Sequence, residues 1–330
     1  MPLRRPLLAA LLAAPALARA QAPRPGPWRG LHLVQVPGFS YGGADARYAM
    51  RQTLPLGADA VVLLPSLWQS GPAATEVLRG GDLDPEGLAE AIRQARASGL
   101  RVLVRPLLWV EGGRPETARP ADEAGWRRWF ASYGQQVTEL ARLAQEVGAE
   151  AFAAGSGLGR SVGRPEWRGL LDGLRGTFRG RLLYMASSPE EAEAIPFWER
   201  LDGIGLRLYP ALGRDDGPEE WTPVMRREAE RLDRLAARLR RRVWVELGIR
   251  SAAGAAARPW ETAEERRSLP DPRVQAQVLA HWLRALDRPA VEALLLWRWF
   301  TDPGRGGPED TDFTLQGKLA EGVLMGAWTR

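Results

Sequence analysis

The feature that most constrains the fold is an alternation repeated along the whole chain, in which short apolar, β-rich runs are separated by longer segments of helical period. Strands are expected at residues 30–36, 59–65, 101–106, 149–155, 181–186, 203–209, 242–248 and 290–297. Between them, residues 84–98 open with Asp-Pro and stop at Gly99, the punctuation of a capped helix. Residues 123–147 and 218–240 are longer amphipathic stretches. Strands alternating with helices specify βαβ units and a parallel sheet, because each parallel step needs a crossover back to the starting edge. Eight such units predict an α/β fold of the closed (β/α)8 type, a TIM barrel. A chain of 330 residues with 45% apolar content can bury one such core, which takes about 250 residues.

The first residues lie outside that pattern. Arg4 and Arg5 precede an apolar run over residues 7–16, and Ala18-Arg19-Ala20 supplies a small-x-small cleavage site. Residues 1–20 are therefore expected to be a signal peptide, by the general or the twin-arginine route, and residues 21–330 a single exported domain, periplasmic or secreted. No segment reaches the roughly 20 apolar residues of a membrane span. The chain has no cysteine, which excludes thiol catalysis and leaves stability to the core. The net charge is +5, yet Lys318 is the only lysine and the arginines are dispersed. The densest group, residues 238–242, falls at a helix end, where the helix dipole favours cations. A dispersed basic surface without an aromatic-interleaved groove does not predict nucleic-acid binding.

In barrels of this kind the chemistry sits on the loops after the C-terminal strand ends. Those positions hold Gln35, Trp68, Gln69, Trp109, Glu111, Ser156, Tyr209, Glu246, Arg250, Trp297, Trp299 and Asp302. Glu246, near the end of VWVELG, occupies the place of a nucleophilic carboxylate. Tryptophan faces beside a few polar groups suit a sugar, whose CH patches stack on aromatic rings while its hydroxyls are read by hydrogen bonds. The expected partner is a polysaccharide or oligosaccharide, with Trp68, Trp109, Trp297 and Trp299 as stacking candidates. Trp126, Trp129, Trp167, Trp198 and Trp282 fall on helical segments and read as packing residues.

The chain resembles glycoside hydrolase family 113, a clan A group of retaining β-mannanases. The resemblance runs over almost all of residues 21–330 and is carried by LGADAVVLLPSLWQ, DLDPEGLAEAIRQARASGLRVLVRP, GWRRWFASYGQQVTELARLAQE and FWERLDGIGLRLYPAL. Its most specific pieces are VWVELGIRS with Pro259-Trp260 following, and WRWFTDPG with DTDFTLQGKLAEG. The resemblance implies that Glu246 is the nucleophile, that Tyr209 bonds to it, and that Trp297 lines the sugar site at the cleavage point. The family's acid/base Glu lies in a Gly-Thr-Glu-Leu type stretch, and here Gly155-Ser156-Gly157-Leu158 stands there, with Gly157 in the acid's place. Arg105-Pro106-Leu107 replaces a Lys-Pro-His, and Arg207 replaces an acidic residue. Arg105, Ser156, Arg207 and Trp260 are accordingly candidate substrate-binding residues.

Retaining hydrolysis uses two carboxyls about 5–5.5 Å apart, one to attack and one to protonate the departing oxygen. A lone Glu246 can attack but cannot assist a poor leaving group, which forfeits a factor of about 10²–10⁴. Glu111, on a Glu-Gly-Gly turn, is the candidate replacement acid; Glu150 starts its strand and falls at the wrong end. Asp302 and Asp310 are further carboxylates on the last loop. No metal or other cofactor is expected, since His32 and His281 share no ligand spacing with acidic residues. The glycine-dense residues 155–163 lack the Lys-Ser/Thr ending of a phosphate loop, and Ser156 has no histidine base placed for it. Three classes of function fit: a sugar-binding hydrolase-fold protein with weakened or lost catalysis, an active glycosidase with a relocated acid, and a non-catalytic envelope scaffold.

Overall fold

The computed structural model describes residues 26–213 and 217–329. The expected signal peptide lies outside the described residues. Eight parallel strands close into a barrel: β1 (Trp28–Val34), β2 (Ala60–Leu63), β3 (Arg101–Val104), β4 (Ala151–Ser156), β5 (Arg181–Ala186), β6 (Ile204–Arg207), β7 (Val243–Leu247) and β8 (Val291–Phe300). They pair in chain order, and β8 closes on β1. All eight strands expected from the sequence are present, and the fold is the predicted (β/α)8 barrel.

Around them lie α1 (Ala44–Arg51), α2 (Pro85–Ala97), α3 (Glu123–Val147), α4 (Glu166–Thr177), α5 (Pro189–Ala194), α6 (Pro218–Leu239), α7 (Pro272–Ala285) and α8 (Leu319–Trp328). Helix starts follow local chemistry. The Asp84 carboxylate caps α2 by accepting from the backbone N–H groups of Glu86 and Gly87, and Pro85 holds the first helical position, where no N–H is needed. The α3 helix is capped by Asp122 and ends at Gly148 in the left-handed region. Trp126, Trp129, Trp167, Trp198 and Trp282 are all buried between helices and barrel, the packing role read from their helical positions.

Strand alternation sorts the core into two layers. Trp28, Ala60, Val62, Leu103, Ala151, Ala153, Leu183, Met185, Trp244, Ala293 and Leu295 fill the barrel lumen. Their neighbours Leu31, Val61, Val102, Phe152, Leu182, Val245 and Leu294 face the helices. Among the described residues no helix is long and apolar enough to cross a membrane.

One element was not read from the sequence. Past Pro65 and Pro106 the chain continues from β2 and β3 as the paired segments Ser66–Gln69 and Leu107–Val110, joined by Leu78–Arg79 into a three-stranded sheet. Leu67 and Leu108 are buried in it, and the alternating Trp68 and Trp109, partners in register, are exposed.

Candidate functional site

On β7, Val243, Val245 and Leu247 pack outward, so Trp244 and Glu246 point into the lumen, with Glu246 as the last inward residue of that strand. The same alternation carries Leu103 and then Arg105 inward from β3. A register shift between β4 and β5, falling between Ala153 and Ser156, brings Ser156 to the inner face as well. These residues meet at the C-terminal end of the barrel. Arg105 donates from Nη1 to Glu246 Oε2, while Tyr209 donates its hydroxyl to Oε1 at 3.1 Å. Arg105 also donates from Nε and Nη2 to Ser156 Oγ at 3.1 and 2.8 Å, and from Nη1 to His32 Nε2 at 2.9 Å. Every nitrogen of this 2% exposed guanidinium thus has an acceptor, the condition under which a buried ion pair is tolerated.

Protonation states follow from that network. Burial alone would push the Glu246 carboxyl upward; the positive field of Arg105, followed by His32 and Arg207, outweighs it and holds Glu246 at about 2. Burial lowers His32 to about 4, against the pull of Glu246, so the ring is neutral at pH 7. A neutral ring fits its contacts in one tautomer: Nδ1–H donates to the Leu296 carbonyl at 3.2 Å, and Nε2 accepts from Arg105. His32 Nε2 lies 3.4 Å from Glu246 Oε2, a contact that becomes attractive only when the ring gains a proton. Burial and the nearby Glu246 charge keep Tyr209 well above its ordinary value, hence a hydrogen-bond donor.

The facing side of the mouth is furnished differently. Gly157 sits in the left-handed region at φ 62°, its N–H donating to the Met185 carbonyl at 2.8 Å. A Cβ placed there would meet nothing closer than Ser187 Cβ at 3.7 Å, an ordinary van der Waals contact. No carboxyl is among Glu246's hydrogen-bond partners or the strongest influences on its ionisation. Glu111 lies exposed on the turn after Leu107–Val110. Glu150 pairs with Arg96 and accepts from the Val102 N–H at 2.8 Å, at the barrel end expected for it. Asp310 is committed to Lys318 at 2.8 Å, and Asp302 accepts from the Gly304 N–H at 2.8 Å.

The tryptophans divide. Trp297 follows Ala293 and Leu295 on the inner face of β8, half-buried with its ring 5.4 Å from that of His32. Trp68, Trp109 and Trp260 are exposed. Trp299 is not at the mouth. Leu31 pairs with Leu296 but Leu33 pairs with Trp299, so β8 carries one extra residue there; the inserted residue turns Trp299 outward among the helices, where it is 2% exposed. Gln69 is also structural, accepting from Trp129 Nε1 at 2.8 Å, and Arg250 donates to the backbone carbonyls of Thr311 and Arg266.

His32 is the site residue that the sequence reading passed over. The β1 strand starts at Trp28, two residues before the expected start, which places His32 well along it, on the inner face with Trp28. The usable signal was the alternation Trp28-Gly30-His32, but the strand boundary hid it. Among the described residues no group of three or more His, Cys, Asp or Glu side chains is arranged to hold a metal ion.

Comparison with known proteins agrees with this fold. No curated protein matches the chain. Among solved structures, a GH113 β-mannanase from Alicyclobacillus acidocaldarius in complex with ManMIm superposes with a TM-score of 0.79 at 21% identity, covering 92% of this chain and 97% of that one. A GH113 β-1,4-mannanase gives 0.78 at 22% identity, covering 92% and 98%. A β-glucuronidase from Ruminococcus gnavus shares the barrel with a TM-score of 0.61 at 13% identity, covering 92% of this chain and 50% of that one. The sequence itself matches the Glycoside Hydrolase Family 113 profile over residues 35–318, most of its length. The chain therefore belongs to glycoside hydrolase family 113.

Proposed function

We propose that this protein is an exported member of its family that binds a β-linked, mannan-like glycan in the barrel mouth and hydrolyses it weakly or not at all. The observation that supports this reading is the asymmetry of the mouth: an ionised Glu246 on β7, and at the corresponding point after β4 a glycine without a side chain. Glu246 can attack an anomeric carbon, forming the C–O bond to the enzyme as the bond to the departing oxygen breaks. Without a proton donor that oxygen must leave as an anion. A phenolate does this readily and a sugar alkoxide does not. The glycosyl-enzyme would then persist, because water needs a base to attack it, whereas azide arrives already anionic and releases Glu246 with formation of a glycosyl azide.

The test is turnover of an activated aryl β-mannoside with and without azide. Azide-stimulated turnover that is lost in a folded Glu246→Gln variant, with mannan left intact, supports the reading. Unaided cleavage of mannan overturns it and directs attention to Glu111, whose replacement by Gln must then abolish the activity. Installing the missing group by Gly157→Glu should raise cleavage of unactivated substrate by about 10²-fold or more. An envelope scaffold, by contrast, would bind no glycan and would hold anionic surfaces in a salt-sensitive way.

A further inference from the structure

We propose that the glycan recognised by this cleft is acidic, a chain containing uronic acids, and that Arg207 receives the carboxylate. The proposal rests on the glycan-binding reading above and specifies its substrate class. Arg207 is the last residue of β6 and the Cα register partner of Glu246. With Ile204 and Leu206 packed outward, it shares the inner face of its strand with Gly205.

Charge accounting at the mouth leaves Arg207 over. Arg105 is fully engaged with Glu246, His32 and Ser156. His32 is neutral, as its bond to the Leu296 carbonyl and its acceptance from Arg105 require. The Arg105 and Glu246 charges cancel, so of the cations acting on Glu246 only Arg207 is left without a counter-charge. Among the described residues it forms no ion pair, and its buried Nε has no acceptor among the protein's own atoms. A neutral sugar would leave that charge uncompensated as it displaced water. A planar carboxylate meets the guanidinium fork in two parallel charge-assisted hydrogen bonds.

The experiment compares β-1,4-linked mannotetraose with tetramannuronate, which differ only at C6, by titration calorimetry at low salt. A charge-assisted pair predicts that the uronate binds about 10- to 100-fold more tightly. Arg207→Gln should reduce its affinity to that of the neutral sugar, and Arg207→Lys should retain part of the preference, with circular dichroism confirming that each variant is folded. Were the Gln variant not to fold, the Lys variant alone decides, since an unchanged preference there removes the fork from the explanation. A 6-sulfated mannotetraose separates carboxylate from other anionic substituents, and equal Arg207-dependent affinity for it overturns the assignment to uronate. Equal affinity for the two tetrasaccharides, or a preference that survives Arg207→Gln, overturns the inference while leaving a glycan-binding cleft in place. Absence of binding by every sugar overturns the glycan-binding reading as well.

Discussion

Two parts of the barrel mouth differ in how much each residue depends on its neighbours. In the lumen, inward residues from around the barrel, Glu246, Arg105 and His32, share one buried network with Tyr209 and Ser156. Just past the end of β4, Gly157 makes one backbone hydrogen bond, and a Cβ there would meet nothing closer than Ser187 Cβ at 3.7 Å. The network cannot lose a member without stranding another, whereas Gly157 can gain a Cβ at the cost of backbone strain alone. Glu246 is thus tied into the folded structure by its partners, while Gly157 is not.

The strongest way to break this contrast is to remove one charge from the network. In Glu246→Gln, Arg105 remains 2% exposed with no counter-charge in contact, and removal of one partner of a buried pair costs about 3–5 kcal/mol. Replacing both, as Arg105→Met with Glu246→Leu, should restore part of that stability, since no buried charge is left unpaired, while Tyr209, Ser156 and His32 still lose their partners. Urea unfolding of the single and double variants decides it. Equal midpoints for the wild type and Glu246→Gln would mean that the pair does not hold the mouth together.

Next in size is the pH dependence that His32 confers. Its proton binds at about 4 in the folded protein and at 6.5 in the unfolded chain. Between those values only the unfolded chain takes it up, so stability is fully present above pH 6.5 and is lost as pH falls toward 4. The buried ring makes this loss on the order of 3 kcal/mol. Glu246 acts lower, losing its contribution between its ordinary 4.5 and about 2. Thermal melts at pH 7 and pH 4.5 should show a smaller difference for His32→Gln than for the wild type, and an unchanged difference would remove His32 as the cause.

These dependences also explain what the sequence disclosed. The eight strands and their helices were legible because period two and period 3.6 are local properties, and Glu246 was legible because it ends a strand in a fold whose chemistry gathers at strand ends. The partnership of Arg105 with Glu246, 141 residues away, was not legible, since only closure of the barrel brings β3 and β7 to opposite sides of one lumen. Trp299 was misplaced for a related reason: its direction depends on a register shift against β1, which no period in β8 records. The small sheet carrying Trp68 and Trp109 escaped because its strands are two to four residues long, too short to show alternation.

The smallest effect lies at Gly157 and sharpens the contrast. Gly157→Glu puts a side chain on a residue at φ 62°, where a Cβ costs about 1–2 kcal/mol, but the nearest side-chain atom, Ser187 Cβ at 3.7 Å, does not obstruct it. The expected loss of stability is therefore below that of Glu246→Gln, even though a charge is added rather than removed. Two charges bear on the new carboxylate: Glu191, which accepts from the neighbouring Ser187 N–H at 2.8 Å, opposes it, and Arg207 favours it. Gly157→Ala carries the same backbone strain without the charge, so the difference between the two variants in urea isolates the electrostatic part. If Gly157→Glu is more stable than Gly157→Ala, the mouth attracts anions. If it is less stable, the repulsion of Glu191 outweighs the field of Arg207 at the end of β4.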